Sequence, residues 1–189
     1  FIPSDAILHE SDIPAAHWAG YVALVIGAAH GTKQLPEHKL RELCKEIPLP
    51  VILLGGSAEK EKGDRIASED PVRIYNACGK FTLQESSDLV RRSRLVVSHD
   101  TGLMHIAAAF KKPVVSIWGN TIPRFGMYPY YGALFAQNQR SEYTFMSEVT
   151  GLGCRPCSKI GYDKCPRGHF RCMEKQDISL IAQAVQRMF

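Results

Sequence analysis

The stretch Leu95-Val96-Val97-Ser98-His99-Asp100-Thr101-Gly102-Leu103-Met104-His105-Ile106-Ala107-Ala108-Ala109-Phe110, continued by Lys111-Lys112-Pro113-Val114-Val115-Ser116-Ile117-Trp118-Gly119, carries the fold. Leu95 to Ser98 and Val114 to Trp118 are short apolar runs with β-branched residues, the pattern of strands buried on both faces. Thr101 to Phe110 between them has helical spacing. The same alternation runs outward: Tyr21 to Gly27 and Val51 to Gly55 read as further strands. Pro36 to Ile47, Ala58 to Ser68 and Thr82 to Ser93 read as helices, and Thr82 with Glu85 forms a capping box at one start. A last helix, Gln176 to Met188, places Ile178, Ile181, Ala182 and Val185 on one stripe, for the sheet or for a neighbouring domain. Strand–helix alternation predicts an α/β, Rossmann-like, doubly wound and mostly parallel sheet with helices on both faces, joined by right-handed crossovers.

Composition agrees with one globular domain over residues 1–189. Of 189 residues, 45% are apolar and 22% charged, with a net charge of +4. Such a chain buries a sizeable core, which excludes disorder, a collagen-like repeat and a disulfide-stapled miniprotein. The longest apolar run, Tyr21 to Ile26 extended to Ala29, is far too short for a membrane span, and no basic-then-apolar leader opens the chain, so it reads as soluble. Its first residue is Phe1 rather than Met, so it reads as a piece of a longer protein. The whole net charge resides in residues 151–175, where Arg155, Lys159, Lys164, Arg167, Arg171 and Lys175 face only Asp163 and Glu174. Both a solvated loop and a surface for a phosphorylated partner or an anionic membrane fit this segment.

In doubly wound sheets ligands bind beyond the carboxyl ends of the strands. The loop Gly27-Ala28-Ala29-His30-Gly31-Thr32-Lys33 offers tight turns, exposed amides and one cation for an anion. Its second glycine comes one residue too early for a P-loop, and an ordinary strand-to-helix turn fits the same residues. The loop Gly55-Gly56-Ser57-Ala58-Glu59 sets Glu59 where a carboxylate can accept from ribose hydroxyls, although a glutamate in a helix's first turn is also favoured by the macrodipole.

The Asp100–Phe110 segment is more informative. At about 100° per residue, Leu103, Ile106, Ala107 and Phe110 form a stripe for the sheet, with Thr101 and His105 opposite. The outer face then holds only Thr101, His105, Ala108 and Ala109, where Lys, Glu or Gln belong. Thr101, Gly102 and the next amides are the free donors of a helix N-terminus, suited to phosphate, and His105 adds a donor one turn on. Asp100 as a helix cap and His105 as a satisfied core histidine are the structural alternatives.

These residues resemble the D-T-G-x-x-H-x-A-A-A signature of family 9 glycosyltransferases, the lipopolysaccharide heptosyltransferases. The resemblance extends to the Lys33 loop, the Gly-Gly-Ser-Ala-Glu loop, and Cys154-Arg155-Pro156-Cys157 with Cys165-Pro166-Arg167-Gly168-His169-Phe170-Arg171-Cys172-Met173. It implies the carboxy-terminal, donor-binding half of a GT-B enzyme, whose amino-terminal acceptor domain lies outside this chain. It further implies inverting transfer of heptose from ADP-heptose to the lipopolysaccharide inner core, with no bound metal or other cofactor. It also implies a cytoplasmic location, at the inner face of the inner membrane, where peripheral association fits. By the same resemblance Thr32 and Lys33 contact the donor phosphates, Glu59 the nucleoside, and Asp100, Thr101, Gly102 and His105 the phosphates and sugar. The general base comes from the other half, so no catalytic residue is assigned here. His99 stands where many relatives carry Asn, and Phe125, Tyr128 and Tyr130 are open either to stacking on a base or to packing.

Cys44 and Cys78 read as buried, inert thiols. Cys154, Cys157, Cys165 and Cys172, with His169 as an alternate, could ligate zinc, but their spacing is not the usual doublet and reduced thiols or adventitious disulfides fit as well. Two rival functions remain: a GT-B transferase or epimerase using a UDP-sugar, and a zinc-stabilised nucleic-acid-binding module. The second gives the bare face around His105 no purpose.

Overall fold

The computed structural model describes residues 2–132 and 140–189. Its centre is a six-stranded, all-parallel sheet. The strands are β1 (Val22–Val25), β2 (Val51–Leu54), β3 (Ile74–Asn76), β4 (Leu95–His99), β5 (Val114–Trp118) and β6 (Thr144–Glu148). The helices are α1 (Glu37–Glu46), α2 (Lys60–Ala67), α3 (Leu83–Arg92), α4 (Gly102–Ala109), α5 (Arg140–Tyr143), α6 (Arg171–Glu174) and α7 (Ile178–Met188). The order across the sheet is β3-β2-β1-β4-β5-β6, so the chain reverses its direction of travel between β1 and β4. That is the switch point where doubly wound folds open a crevice.

Side chains alternate across the strands and build two cores. Val22, Leu24, Val51, Leu53, Leu95, Val97, Val115 and Ile117 pack with Leu40 and Leu43 of α1, Ile66 of α2 and Ile178, Ile181 and Val185 of α7. Ala23, Val25, Ile52, Leu54, Val96 and Val114 pack on the other face with Leu89 and Val90 of α3 and Met104, Ala107 and Ala108 of α4. Each fully buried aliphatic side chain contributes about 1.5–3 kcal/mol. The expected capping box is formed: Thr82 Oγ1 accepts the Glu85 N–H at 3.3 Å and Glu85 Oε2 accepts the Thr82 N–H at 2.7 Å. The stripe expected on the last helix lies buried against the sheet and α1, not turned toward another domain.

Two features depart from the sequence reading. Strands β3 and β6 were not expected, and they complete the sheet at its edges. The buried arc of α4 is centred on Met104, Ala107 and Ala108, while Leu103, Ile106 and Phe110 are only half-buried. Ala108 therefore belongs to the core, and the outward stripe is Gly102, His105 and Ala109. The cause is lateral: α4 packs against α3 as well as the sheet, which rotates its apolar arc toward that neighbour.

Candidate functional site

Four loops leave the carboxyl ends of β1, β2, β4 and β5 on one side of the sheet. Between the first three lies a cleft of about 390 Å³. Gly27, Gly55 and Gly56 line it from the strand ends, Phe81 and Leu83 from the start of α3, and Thr101, Gly102 and Leu103 from the start of α4. Close approach constrains Gly27 and Gly55. A Cβ on Gly27 would lie 2.9 Å from the Glu59 carboxylate, and one on Gly55 2.9 Å from Glu59 Cβ. Glu59 reaches into the cleft with Oε2 accepting the Gly56 N–H at 2.9 Å.

The start of α4 differs chemically from those of α3 and α7. Thr82 and Asp177 cap those two helices with side-chain oxygens, whereas Thr101, the cap position of α4, makes no such bond. Thr101 Oγ1 instead lies 3.0 Å from Ser98 Oγ. The first-turn amides of α4 are thus uncapped beside the cleft, carrying the positive end of the helix dipole. Asp100 is not the cap: it is buried, and its Oδ2 takes Lys33 Nζ at 2.8 Å and the Thr121 hydroxyl at 3.0 Å. Lys33 itself is nearly sealed, with 11% of its side chain exposed.

The structure therefore brings Glu59, Thr101 and Gly102 into one cleft, while Lys33 and Asp100, paired with each other, do not line it and reach its edge only through Asp100's neighbour Thr101. Thr32 and His105 are not among the residues that line the cleft. Thr32 is turned into the protein body: its hydroxyl donates to Tyr162 O at 2.9 Å and accepts the Tyr162 N–H at 2.8 Å, clasping a segment 130 residues away. His105 is exposed on the solvent side of α4, one turn from Gly102. Phe125, Tyr128 and Tyr130 are likewise not among the residues that line the cleft, and Tyr128 packs on the core of that face of the sheet; the aromatic residue lining the cleft is Phe81.

The sequence reading missed Lys62 and Gln34. Lys62 Nζ donates to Ile26 O at 3.0 Å and Gln34 Oε1 at 2.8 Å, while Gln34 Nε2 donates to Ala28 O at 2.9 Å. Together they fix the loop after β1. Burial lowers the Lys62 pKa, and the Glu59 carboxylate opposes that shift. His99 is also held inside this loop system: its Nε2 accepts the Leu35 N–H at 2.9 Å, and burial, reinforced by the Lys62 charge, pushes its pKa down to about 3.

In the basic segment, Arg155 is a structural cation. Its Nε donates to Gly119 O at 2.6 Å, its Nη2 donates to Thr121 O at 3.0 Å, and the same atom pairs with Glu148 at 2.8 Å. All six cysteines are free thiols. Burial pushes Cys172 up to about 11 and raises Cys157, with neighbouring thiols adding to both shifts. Cys154 Sγ lies 3.7 Å from His169 Nε2; among the described residues, no three His, Cys, Asp or Glu side chains are grouped to hold a metal ion. Among those residues no helix is long and apolar enough to cross a membrane.

A cleft with an uncapped helix start and a carboxylate can hold a polar anion together with a hydroxyl-bearing ring. Comparison with known proteins shows the family to which the chain belongs. The family model for glycosyltransferase family 9 (heptosyltransferase) matches residues 7–143. The chain is 34% identical over 107 residues to lipooligosaccharide heptosyltransferase 2 of Haemophilus influenzae, covering 52% of this chain and 31% of that protein. Against lipopolysaccharide heptosyltransferase 2 of Salmonella typhimurium the identity is 32% with the same coverage. Among solved structures, E. coli heptosyltransferase WaaC with ADP superposes with a TM-score of 0.63 at 21% identity, over 95% of this chain and 47% of that one. E. coli ADP-heptose LPS heptosyltransferase II gives a TM-score of 0.60 at 20% identity, over 90% and 48%. The matched region thus spans about a third of those curated relatives, and the fold about half of those solved chains.

Proposed function

Because this chain belongs to glycosyltransferase family 9, we propose that it is the donor-binding half of a heptosyltransferase, holding ADP-heptose while an amino-terminal half presents the lipopolysaccharide inner core. The observation that supports this reading is the uncapped start of α4 opening on the cleft. Sugar transfer builds negative charge on a departing nucleoside diphosphate, and preorganised amides, a helix dipole and a lysine stabilise that charge without reorganising. The Thr101–Leu103 amides face the diphosphate, and Lys33 turns from Asp100 to reach it. Glu59 accepts from the ribose hydroxyls, and the adenine lies along Phe81 and Leu83. Asp100, released from Lys33, and His105 at the rim serve the sugar. Thr32 acts by fixing the loop that carries Lys33. Inversion at the anomeric carbon needs a base on the acceptor side, which this half does not supply. The work takes place at the cytoplasmic face of the inner membrane, reached by peripheral association.

Calorimetry with ADP and UDP on this chain tests the reading. ADP is expected to bind at least tenfold more tightly than UDP, and Glu59→Gln is expected to narrow that gap by weakening ADP. No ADP binding, or a preference for UDP, overturns it.

A further inference from the structure

The second basic feature lies apart from the donor cleft. A cleft of about 450 Å³ is lined by Gly151, Gly153, Cys154, Arg167, His169 and Arg171, and none of them lines the donor cleft. Two arginines thus line one concavity with no carboxylate in its wall. The carboxylates that sequence proximity would offer them are engaged elsewhere. Glu174, three residues after Arg171 on α6, takes His38 Nε2 at 3.0 Å, and Glu148 takes Arg155. Among the described residues no carboxylate lies within ion-pair distance of Arg167 or Arg171. Uncompensated like charges in one cavity wall repel each other, and an anion between them removes that cost.

The backbone is shaped to hold these groups in place. Phe170 adopts φ 44°, a left-handed conformation uncommon for a bulky residue, and its ring packs on the core, leaving His169 and Arg171 exposed on either side. The Arg171 N–H donates to His169 Nδ1 at 3.1 Å, so in the neutral ring Nε2 carries the proton. That proton faces only the weak acceptor Cys154 Sγ at 3.7 Å and is available to a better one. Gly151, Gly153 and Gly168 have open space where a Cβ would stand.

We propose that Arg167, His169 and Arg171 form a binding site for a phosphomonoester. A tetrahedral dianion presents enough oxygens for two planar guanidinium forks and one imidazole N–H, which a single carboxylate does not. The cleft is in the range of small-molecule sites, about 300–1,000 Å³, so the phosphate arrives attached to an organic group. The site is independent of the donor reading, because the two clefts share no lining residue.

The test is a titration of this chain with glycerol 3-phosphate, followed by amide NMR shifts and repeated with the donor cleft saturated by ADP. Saturable shifts are expected at Gly151, Gly153 and residues 168–171 in both series, with affinity at least tenfold weaker in Arg167→Gln/Arg171→Gln and ADP binding unchanged. If ADP fails to bind, the first series still decides the matter. Absence of saturation, or equal affinity in the double variant, overturns the proposal. Once the site is established, vesicles distinguish its source of phosphate. Preference for phosphatidic acid over phosphatidylglycerol, lost in the double variant, assigns it to a lipid headgroup, and lack of preference assigns it to a soluble phosphomonoester.

Discussion

Lys33 Nζ lies 2.8 Å from Asp100 Oδ2, in a pair whose side chains are only 11% and 5% exposed. Removing one member leaves the other charge buried without its counter-ion, at a cost of about 3–5 kcal/mol. Lys33→Ala is therefore expected to lose about 3 kcal/mol in urea unfolding and at least tenfold in ADP affinity. The double variant Lys33→Ala/Asp100→Ala regains most of the stability but none of the affinity. ADP affinity unchanged in both variants would show that the lysine serves the fold alone.

Gly63→Ala reverses the usual sign of a helix substitution. Alanine in a helix interior ordinarily gains about 1 kcal/mol over glycine. Here its Cβ would fall 2.3 Å from Asn76 Oδ1. That amide cannot yield easily: Nδ2 donates to Lys60 O at 3.0 Å and Asp64 Oδ1 at 2.8 Å, and Oδ1 accepts the Cys78 N–H at 3.0 Å. The expected outcome is a loss of about 1–3 kcal/mol by urea denaturation, as for other overpacked positions.

His99 gives the fold a measurable acid sensitivity. Its pKa is about 3 when folded against an ordinary value of 6.5, so the unfolded chain takes up the proton first as pH falls. Its contribution is complete above pH 6.5 and is lost as pH drops toward 3. The slope is about 1.4 kcal/mol per pH unit. Unfolding free energies measured at pH 7, 6 and 5 for the parent and His99→Gln should converge at close to that rate below pH 6.5. A constant gap would mean that the imidazole is not held neutral.

Arg155 and Arg167 carry the same charge in one segment yet should behave oppositely. Arg155→Ala frees the carbonyls of Gly119 and Thr121 and strips Glu148 of its partner, for an expected loss of about 3 kcal/mol in thermal or urea unfolding. Arg167→Gln, at an exposed position, should stay within about 0.5 kcal/mol of the parent.

Much of the architecture was legible because the central strands are continuous apolar runs and the glycine loops follow them directly. Strand β3 escaped because Ile74–Asn76 is too short to show a period, and β6 because Thr-Phe-Met-Ser-Glu alternates only weakly in polarity. Glu59, Thr101 and Gly102 were readable as site candidates because each lies next to a strand–loop–helix junction. Lys62 was not, since a lysine three residues into a helix looks solvated until packing bends it toward Ile26 O. The pairing of Lys33 with Asp100 was equally hidden: each residue was visible alone, and only the adjacency of β1 and β4 brings the two loops together. The rotation of α4 came from its lateral neighbour α3, which no periodicity along α4 itself encodes.

The clasp between Thr32 and Tyr162 joins residues 130 positions apart. During vectorial synthesis the early loop that carries Lys33 stays unlatched until Tyr162 has left the ribosome. A nascent chain stalled before Tyr162 has all six strands but lacks the fastening of the loop that carries Lys33, so the seating of that cation follows the completion of the sheet.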